Sequence, residues 1–499
     1  MNGVIAILSL LTIPLSTAAP LTETGSLSST NAAYDGNALV LTGHVILDHG
    51  LGKMNAEEAS LQRQDGGKDF PFSLIHLNKE VLLSLKNNAE LRCETADLDF
   101  TSLKGLLHAK DGDKVVYTDS VKKKKGEVPV RLASQLVELG FAKKGHDGKK
   151  TDYDIETILA QEAVTIDYAQ DFILQADHAL YRKQTPQGQK STSREFQGII
   201  TAYPKENAQC RLTHIGGDVI DADSVDLDMV HAKISMLHPK GILQSTIIPH
   251  LQKGAMRFSC DHLVWDQDKN ILSLKGGVQV EENIIGTLTA LEELTLEQTL
   301  HQGKRLLKTI RTQGPTTLLY ADPVTEQSHK LVSHGTLIVD RDRLTASLES
   351  PQIDGRIPLE KQTYYENGEI GIFADKANLE YSLSDTLLQP VSLILNGNIR
   401  LFSHDKQNPP RCGLADRLSY SLDTRTIILS ANPGKKVLFW DAAEGVTVSA
   451  QEVHITQDKE TKEQTIKGVG KVQFSFSSEE NSLLKQLFPQ YQISQGNTQ

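Results

Sequence analysis

Residues 260–296 read CDHLVWDQDKNILSLKGGVQVEENIIGTLTALEELTL, and the spacing of the apolar residues in this stretch decides the fold class. Leu272, Leu274, Gly276, Val278 and Val280 fall on alternate positions over nine residues, the period of a strand with one face turned inward. The opening is different. Cys260, Leu263 and Trp265 stand at i, i+3 and i+5 with Asp261 at i+1, so the alternation slips by one residue. A strand that keeps the same interior through such a slip has a bulge or a bend, which is how a sheet turns a corner.

Both halves of this unit recur. The corner half returns at Ala56-Glu57, Cys93-Glu94, Ala176-Asp177, Ala222-Asp223, Ala374-Asp375, Ala415-Asp416 and, with Gln in the acidic place, Ala450-Gln451. The strand half returns as Leu39, Leu41, Gly43, Val45, Leu47; as Leu393, Leu395, Gly397, Ile399, Leu401; and as Ile466, Gly468, Gly470, Val472, Phe474. A copy at Ile158, Ala160, Glu162, Val164, Ile166 has lost its glycine. Recurrence at this spacing marks an all-β repeat architecture, an elongated stack of short antiparallel strands.

Val4 to Leu15 form an apolar run followed by Ser16, Thr17 and Ala18, a small-x-small pattern, so residues 1–18 read as a secretory signal peptide. Export and a soluble mature chain follow as expectations, because no later apolar run reaches membrane length. The net charge of −11 over 499 residues, without a long basic stripe, argues against nucleic acid as a partner. Four cysteines in an exported chain are enough for two disulfides, yet Cys93 and Cys260 occupy the place that Ala fills in other repeats and read as small buried residues. Cys210 and Cys412 carry no such positional clue.

The repeats divide the chain into N-terminal repeats over 34–103, central repeats over 155–297 and C-terminal repeats over 370–476. Between them, 104–154 is lysine-rich, and Leu132, Leu136 and Leu139 stand at helical spacing after Pro129, which predicts a short helix in an insertion. Residues 298–369 lack a clean corner motif and read as an irregular joint. Ser477 to Glu480 form a capping box ahead of Leu483, Leu484, Leu487 and Phe488, which predicts a capping helix over 477–489.

No catalytic constellation is visible: there is no nucleophile elbow, phosphate-binding glycine loop or paired-cysteine metal spacing. The reading is therefore a non-enzyme with no cofactor and no metal. The corner carboxylates recur once per repeat, which suits capping of a bend by accepted backbone N–H bonds better than catalysis in every copy.

An apolar alternation through a glycine, a turn, then Ala-Asp-x-apolar-x-aromatic resembles the repeated unit of the organic-solvent-tolerance-like (OstA-like) family, the periplasmic lipopolysaccharide-transport proteins. Leu39 to Leu61, Cys260 to Leu296, and Ala374 through Tyr420 to Ile455 are the copies most similar to it. The resemblance implies a folded-over pair of antiparallel sheets, open along one side, whose interior holds the acyl chains of lipopolysaccharide or lipid A. It further implies a periplasmic location and like-folded partners at the inner and outer membranes, joined through end strands. The chain is longer than the small soluble bridge member of that family and lacks the membrane strands of its barrel member. On this reading Leu39, Leu41, Gly43, Val45 and Leu47 line the groove, as do Leu263, Trp265, Leu272, Leu274, Gly276, Val278 and Val280. So do Leu379, Tyr381, Leu393, Leu395, Gly397, Ile399, Leu401, Leu418 and Tyr420, with the glycines placed where a side chain would narrow the space. The competing reading is an exported structural or adhesive scaffold with a filled core and no lipid.

Overall fold

The computed structural model describes residues 26–476 apart from 64–71, 124–125, 145–151, 185–197, 245–254, 283–285, 302–303, 322–327, 369, 384–387, 404–410, 422–423, 443–444 and 458–463. The described chain is all-β: forty strands, with a single 3-10 turn at Leu359–Lys361. Every pairing with a described register is antiparallel, for example Leu263↔Leu274 and Leu274↔Leu294. Two compact units form, one from Met1–Gln170 with Gln175–Ile200 and one from Asp171–Leu174 with Thr201–Gln499.

In the first unit the strands Ala38–His49, Gly52–Gln62, Leu74–Leu85 and Glu90–Asp99 are long, and each pairing breaks register midway. The shifts fall between Thr42 and Val45, Asn55 and Glu58, and Asn78 and Val81. Each strand is thereby bent into two halves, and the halves build two layers. One layer continues from Thr95–Asp99 into Lys104–His108 and then Leu136–Lys144; the other continues from Glu90–Arg92 into Val115–Lys123 and Gly126–Ser134.

The second unit makes the same two layers from shorter strands. Val219–Ala222, Lys240–Leu243, Met256–Ser259, Val278–Glu282 and Gly286–Ala290 pair in sequence to form one layer. Ser224–Asp228, Lys233–Leu237, His262–Asp266, Ile271–Lys275 and Glu293–His301 pair in sequence to form the other. The chain passes between layers at corners, and the corners are themselves hydrogen-bonded from rung to rung. His238 N–H donates to Asp261 O (2.7 Å), Asp261 N–H to Gly276 O (3.0 Å), Gly276 N–H to Glu292 O (2.9 Å) and Leu291 N–H to Pro315 O (3.0 Å). Further along, Ser350 N–H donates to Asp375 O and Asp375 N–H to Gly397 O. The fold is therefore closed along one seam, while the hairpins of both layers lie at the other edge.

The two recurring motifs are neighbours on this seam. Gly276 has φ +71° and Gly277 φ +51°, Gly43 is followed by left-handed His44, and Gly397 by left-handed Asn398. Two consecutive left-handed residues reverse the bend of a strand, and glycine adopts that conformation at the lowest cost. A β-carbon on Gly276 would collide with the Asp261 carboxylate, and one on Gly397 with that of Asp375. The Ala-Asp corner thus lies directly over the glycine corner of the next rung, which is why the halves recur together. Where the glycine is missing, Glu162 and Ala163 take the same left-handed pair (φ +65° and +50°), as do Lys79 and Glu80.

Three expectations are corrected. Residues 104–144 hold no helix: Leu132 lies on the strand Gly126–Ser134, and Leu136 and Leu139 lie on Leu136–Lys144. The helical spacing arises because a corner at Gln135 separates two strands whose inward residues are Val130 and Leu132, then Val137 and Leu139. Residues 298–369 are regular strands of the stack, among them Lys304–Gln313, Thr316–Ala321 and Thr336–Asp340. The corner carboxylates bond chiefly to side chains of neighbouring corners, with Asp223 accepting from Gln209 (3.1 Å) and paired with His238 (2.9 Å). Asp416 does accept a backbone N–H, from Asn432 at 2.8 Å. The signal segment and the terminal helix lie outside the described residues. All four cysteines are free thiols, and burial pushes Cys93 and Cys412 up to about 12.

Gly434 also has a positive φ (+86°) but opens onto free space. Gly434→Ala is expected to cost about 1 kcal/mol from its backbone alone, and Gly276→Ala at least about twice that, through its collision with Asp261. Urea midpoints at constant m-value measure both; equal losses would remove the corner contact as a constraint on the fold.

Candidate functional site

The residues between the layers are apolar because alternate residues of the paired strands point inward, where most of them are shielded from water. Most of the sequence-predicted lining is fully buried there. Leu41, Val45 and Leu47 are buried in the first unit, and Leu263, Trp265, Leu272, Leu274, Val278 and Val280 in the second, with Leu274 at 0% exposure and Trp265 at 1%. Leu39 is half-buried at the edge of its row. Gly43, Gly276 and Gly397 are not in the interior at all: they stand on the seam, where Thr30, Asp261 and Asp375 occupy the space beside them.

The C-terminal part of the second unit is built differently. Leu395, Ile399, Leu401, Leu418 and Tyr381 are buried. Leu379, Leu393 and Tyr420 are only half-buried although they face inward. These three belong to a longer row of direct cross-strand partners: Ala346↔Leu379, Leu379↔Leu393, Leu393↔Tyr420, Tyr420↔Ile427, Ile427↔Ile455 and Ile455↔Ile466. Every member of that row is half-buried. Across the interior the other layer presents Ile372, Leu401, Phe439 and Val448, all buried. The two walls approach closely near the seam, where a β-carbon on Gly413 would lie 3.2 Å from Leu429. At the last rung the inward-facing Phe474 is 52% exposed. The interior thus changes from a filled core at Trp265 to a partly uncovered apolar wall from Ala346 onward.

Sequence reasoning missed Ala346, Ile427, Ile455 and Ile466 as members of this row; the alternation Thr426–Ser430 carried the signal for Ile427, and Ile455 and Ile466 stood in the recurring unit, but neither pattern gives a measure of exposure. It also missed the aromatic residues that close the edge opposite the seam. In the second unit Phe172 and His214 from one layer meet Trp265 from the other, with ring centroids 5.2 Å and 5.9 Å from the indole. His214 Nδ1 accepts the Gly216 N–H at 2.7 Å and stands 3.6 Å from the buried Asp218 carboxylate.

A hollow of about 780 Å³ lies on the outer face of the first unit, where Leu106, Leu159 and Leu180 are flanked by Asp97, Glu138 and Arg182. It is separate from the interior. Among the described residues no group of three or more His, Cys, Asp or Glu side chains is placed to hold a metal ion. No protein-family model matches the chain, and no curated protein sequence matches it.

The contrast between the two interiors is measurable. Leu274→Ala is expected to cost about 2–5 kcal/mol, the range for a side chain removed from a packed core. Leu393→Ala should cost less than about 1.5 kcal/mol, because part of its side chain already meets solvent. Equal costs in chemical denaturation would mean that the C-terminal interior is packed like the rest.

Proposed function

We propose that the chain binds the acyl chains of a glycolipid of the lipopolysaccharide or lipid A class in its C-terminal interior and carries it across the periplasm. The observation that supports this reading is the half-buried row from Ala346 to Ile466. Six strand spacings of about 4.8 Å make that wall roughly 29 Å long, enough for a fully extended acyl chain lying along the stack. Each methylene buried there gains about 0.8 kcal/mol, so affinity for a lipid needs no polar contact. The edge opposite the seam carries hairpins, which lets the sugar portion remain in water while the chains lie between the layers. This is the arrangement that the OstA-like resemblance implies, and the export signal read in residues 1–18 agrees with it.

Like-folded partners are part of the same proposal. The strands Gln464–Val469 and Gln473–Phe476 each pair on one side only among the described residues, and Phe474 and Val472 are exposed beside them. Unpaired edges of this kind accept an added strand.

The filled core around Trp265, Leu272 and Leu274 favours a second reading, a structural scaffold without ligand. Purification of the full chain from an envelope extract, followed by native mass spectrometry and lipid extraction, separates the two. Bound lipopolysaccharide or lipid A is expected, lost in Leu393→Arg and Tyr420→Arg but retained in Val40→Arg, which alters an exposed outward position. A chain that carries no lipid and takes up none when lipid A is added would establish the scaffold.

A further inference from the structure

The hollow on the outer face of the first unit is built from two cross-strand rows. One row runs Ser60↔His76↔Asp97↔Leu106↔Glu138↔Leu159, and the next runs Gln62↔Leu74↔Asp99↔Lys104↔Gly140↔Thr157. Leu180 and Arg182, on the strand Phe172–Lys183, complete the lining. The residues between the rows along each strand, Leu61, Ile75, Leu98, Leu139 and Ile158, are buried between the layers, so the rows themselves face outward. The register of Leu136–Lys144 against Asp152–Tyr168 shifts between Gly140 and Phe141, and the sheet bends there beneath the hollow. The outward face of an antiparallel sheet is ordinarily polar. Here Leu74, Leu106, Leu159 and Leu180 occupy it, each only partly buried.

The charged groups around these leucines differ in how they are engaged. Asp97 is paired with His76 at 2.6 Å, Asp99 accepts the Thr101 N–H (2.8 Å) and the Ser102 hydroxyl (2.7 Å), and Glu138 accepts the Gln161 amide N–H (2.9 Å). All three carboxylates that line the hollow are thus bonded within the protein. Lys104 and Arg182 are exposed, and among the described residues their side chains have no ion-pair or hydrogen-bond partner. The hollow therefore presents an apolar floor with uncommitted positive charge beside it. The order of residues in the rows also limits the shape of an occupant. Glu138 separates Leu106 from Leu159, and Asp99, Lys104 and Gly140 separate Leu74 from Thr157, so an extended chain laid across the strands would cover charged groups along its length. A compact body rests on the leucines and leaves the carboxylates in water.

We propose that this hollow binds a small organic anion, with a compact apolar body on Leu106, Leu159 and Leu180 and a carboxylate-, sulfonate- or phosphate-type group held by Lys104 and Arg182. The guanidinium suits such a group because its paired N–H donors match two oxygens of one anion. The site lies outside the sheet and does not depend on the acyl-binding reading of the interior.

The test uses the full chain with Thr157→Cys as a reporter in the hollow, its alkylation by iodoacetamide followed by peptide mass spectrometry. The probes are anilinonaphthalene sulfonate and phenylnaphthylamine, the same ring system with and without the anionic group. The sulfonate is expected to protect Thr157→Cys saturably and at a lower concentration than the neutral amine, and to leave Ile173→Cys, an exposed position of the second unit, unprotected. Lys104→Gln and Arg182→Gln should each raise the half-protecting concentration of the sulfonate about two- to five-fold, the worth of an exposed ion pair, and leave that of the neutral amine unchanged. Buried Cys210 and Cys412 stay unalkylated wherever the fold is intact, which separates a lost site from a lost structure. Protection that is equal for the two probes, that persists unweakened when both cations are replaced, or that never develops at Thr157→Cys in the folded chain overturns the proposal.

Discussion

A β-strand that leaves one layer and enters another must turn without abandoning the hydrogen bonds of its backbone, because an unpaired N–H or C=O inside the protein costs as much as the bond it lost. The seam is the solution to that constraint. At each corner the N–H of one turning residue meets the carbonyl of the next, from His238 and Asp261 through Gly276 and Leu291 to Asp375 and Gly397. The left-handed pairs at Gly43-His44, Gly276-Gly277 and Gly397-Asn398 bend the strands so that this ladder stays in line. With the corners in line, the inward faces of both layers come together over the whole length of each unit, and the apolar alternation of every strand is buried by its opposite number.

That arrangement explains what the amino-acid order made legible. Alternation, glycine at mid-strand and an acidic residue after a small one each have a direct structural cause on the strand or the corner, so the all-β repeat could be read from Cys260 to Leu296 alone. The helical spacing of Leu132, Leu136 and Leu139 misled because a slip at a corner shifts the inward set, and two strands joined by a slip reproduce the period of one helix. The corner at Lys79-Glu80 was hidden for the opposite reason, and that at Glu162-Ala163 showed only as a copy that had lost its glycine: tertiary context holds non-glycine residues in the left-handed region, and nothing in their identity announces it. The glycines were placed on the right strands but on the wrong side of them. Spacing tells which residues share a face, and it does not tell whether the absent side chain made room for a ligand or for Asp261.

The candidate site was legible only in part for a related reason. Leu272 and Leu393 are the same residue at the same phase of the same repeat, yet one is fully buried and the other only half-buried. What separates them is how far the folded unit covers each of them, which the repeat pattern does not encode. Two kinds of interior follow from a single sequence pattern: a core at Trp265, closed by Phe172 and His214, and a partly uncovered wall from Ala346 to Ile466. A fold whose chain passes between layers along only one edge can vary this way along each unit, because side chains cover the other edge at some rungs and not at others without breaking the seam.

The most direct measurement is a crystal structure of the full chain bound to lipid A carrying brominated acyl chains, with the bromine positions located by anomalous scattering. The account predicts peaks between the layers, within van der Waals reach of Leu379, Leu393, Tyr420 and Ile455, and none on the outer faces of the sheets. Peaks confined to the outer hollow beside Leu106 and Leu159, or an interior that holds no lipid while its walls close to the packing seen at Trp265, would contradict it.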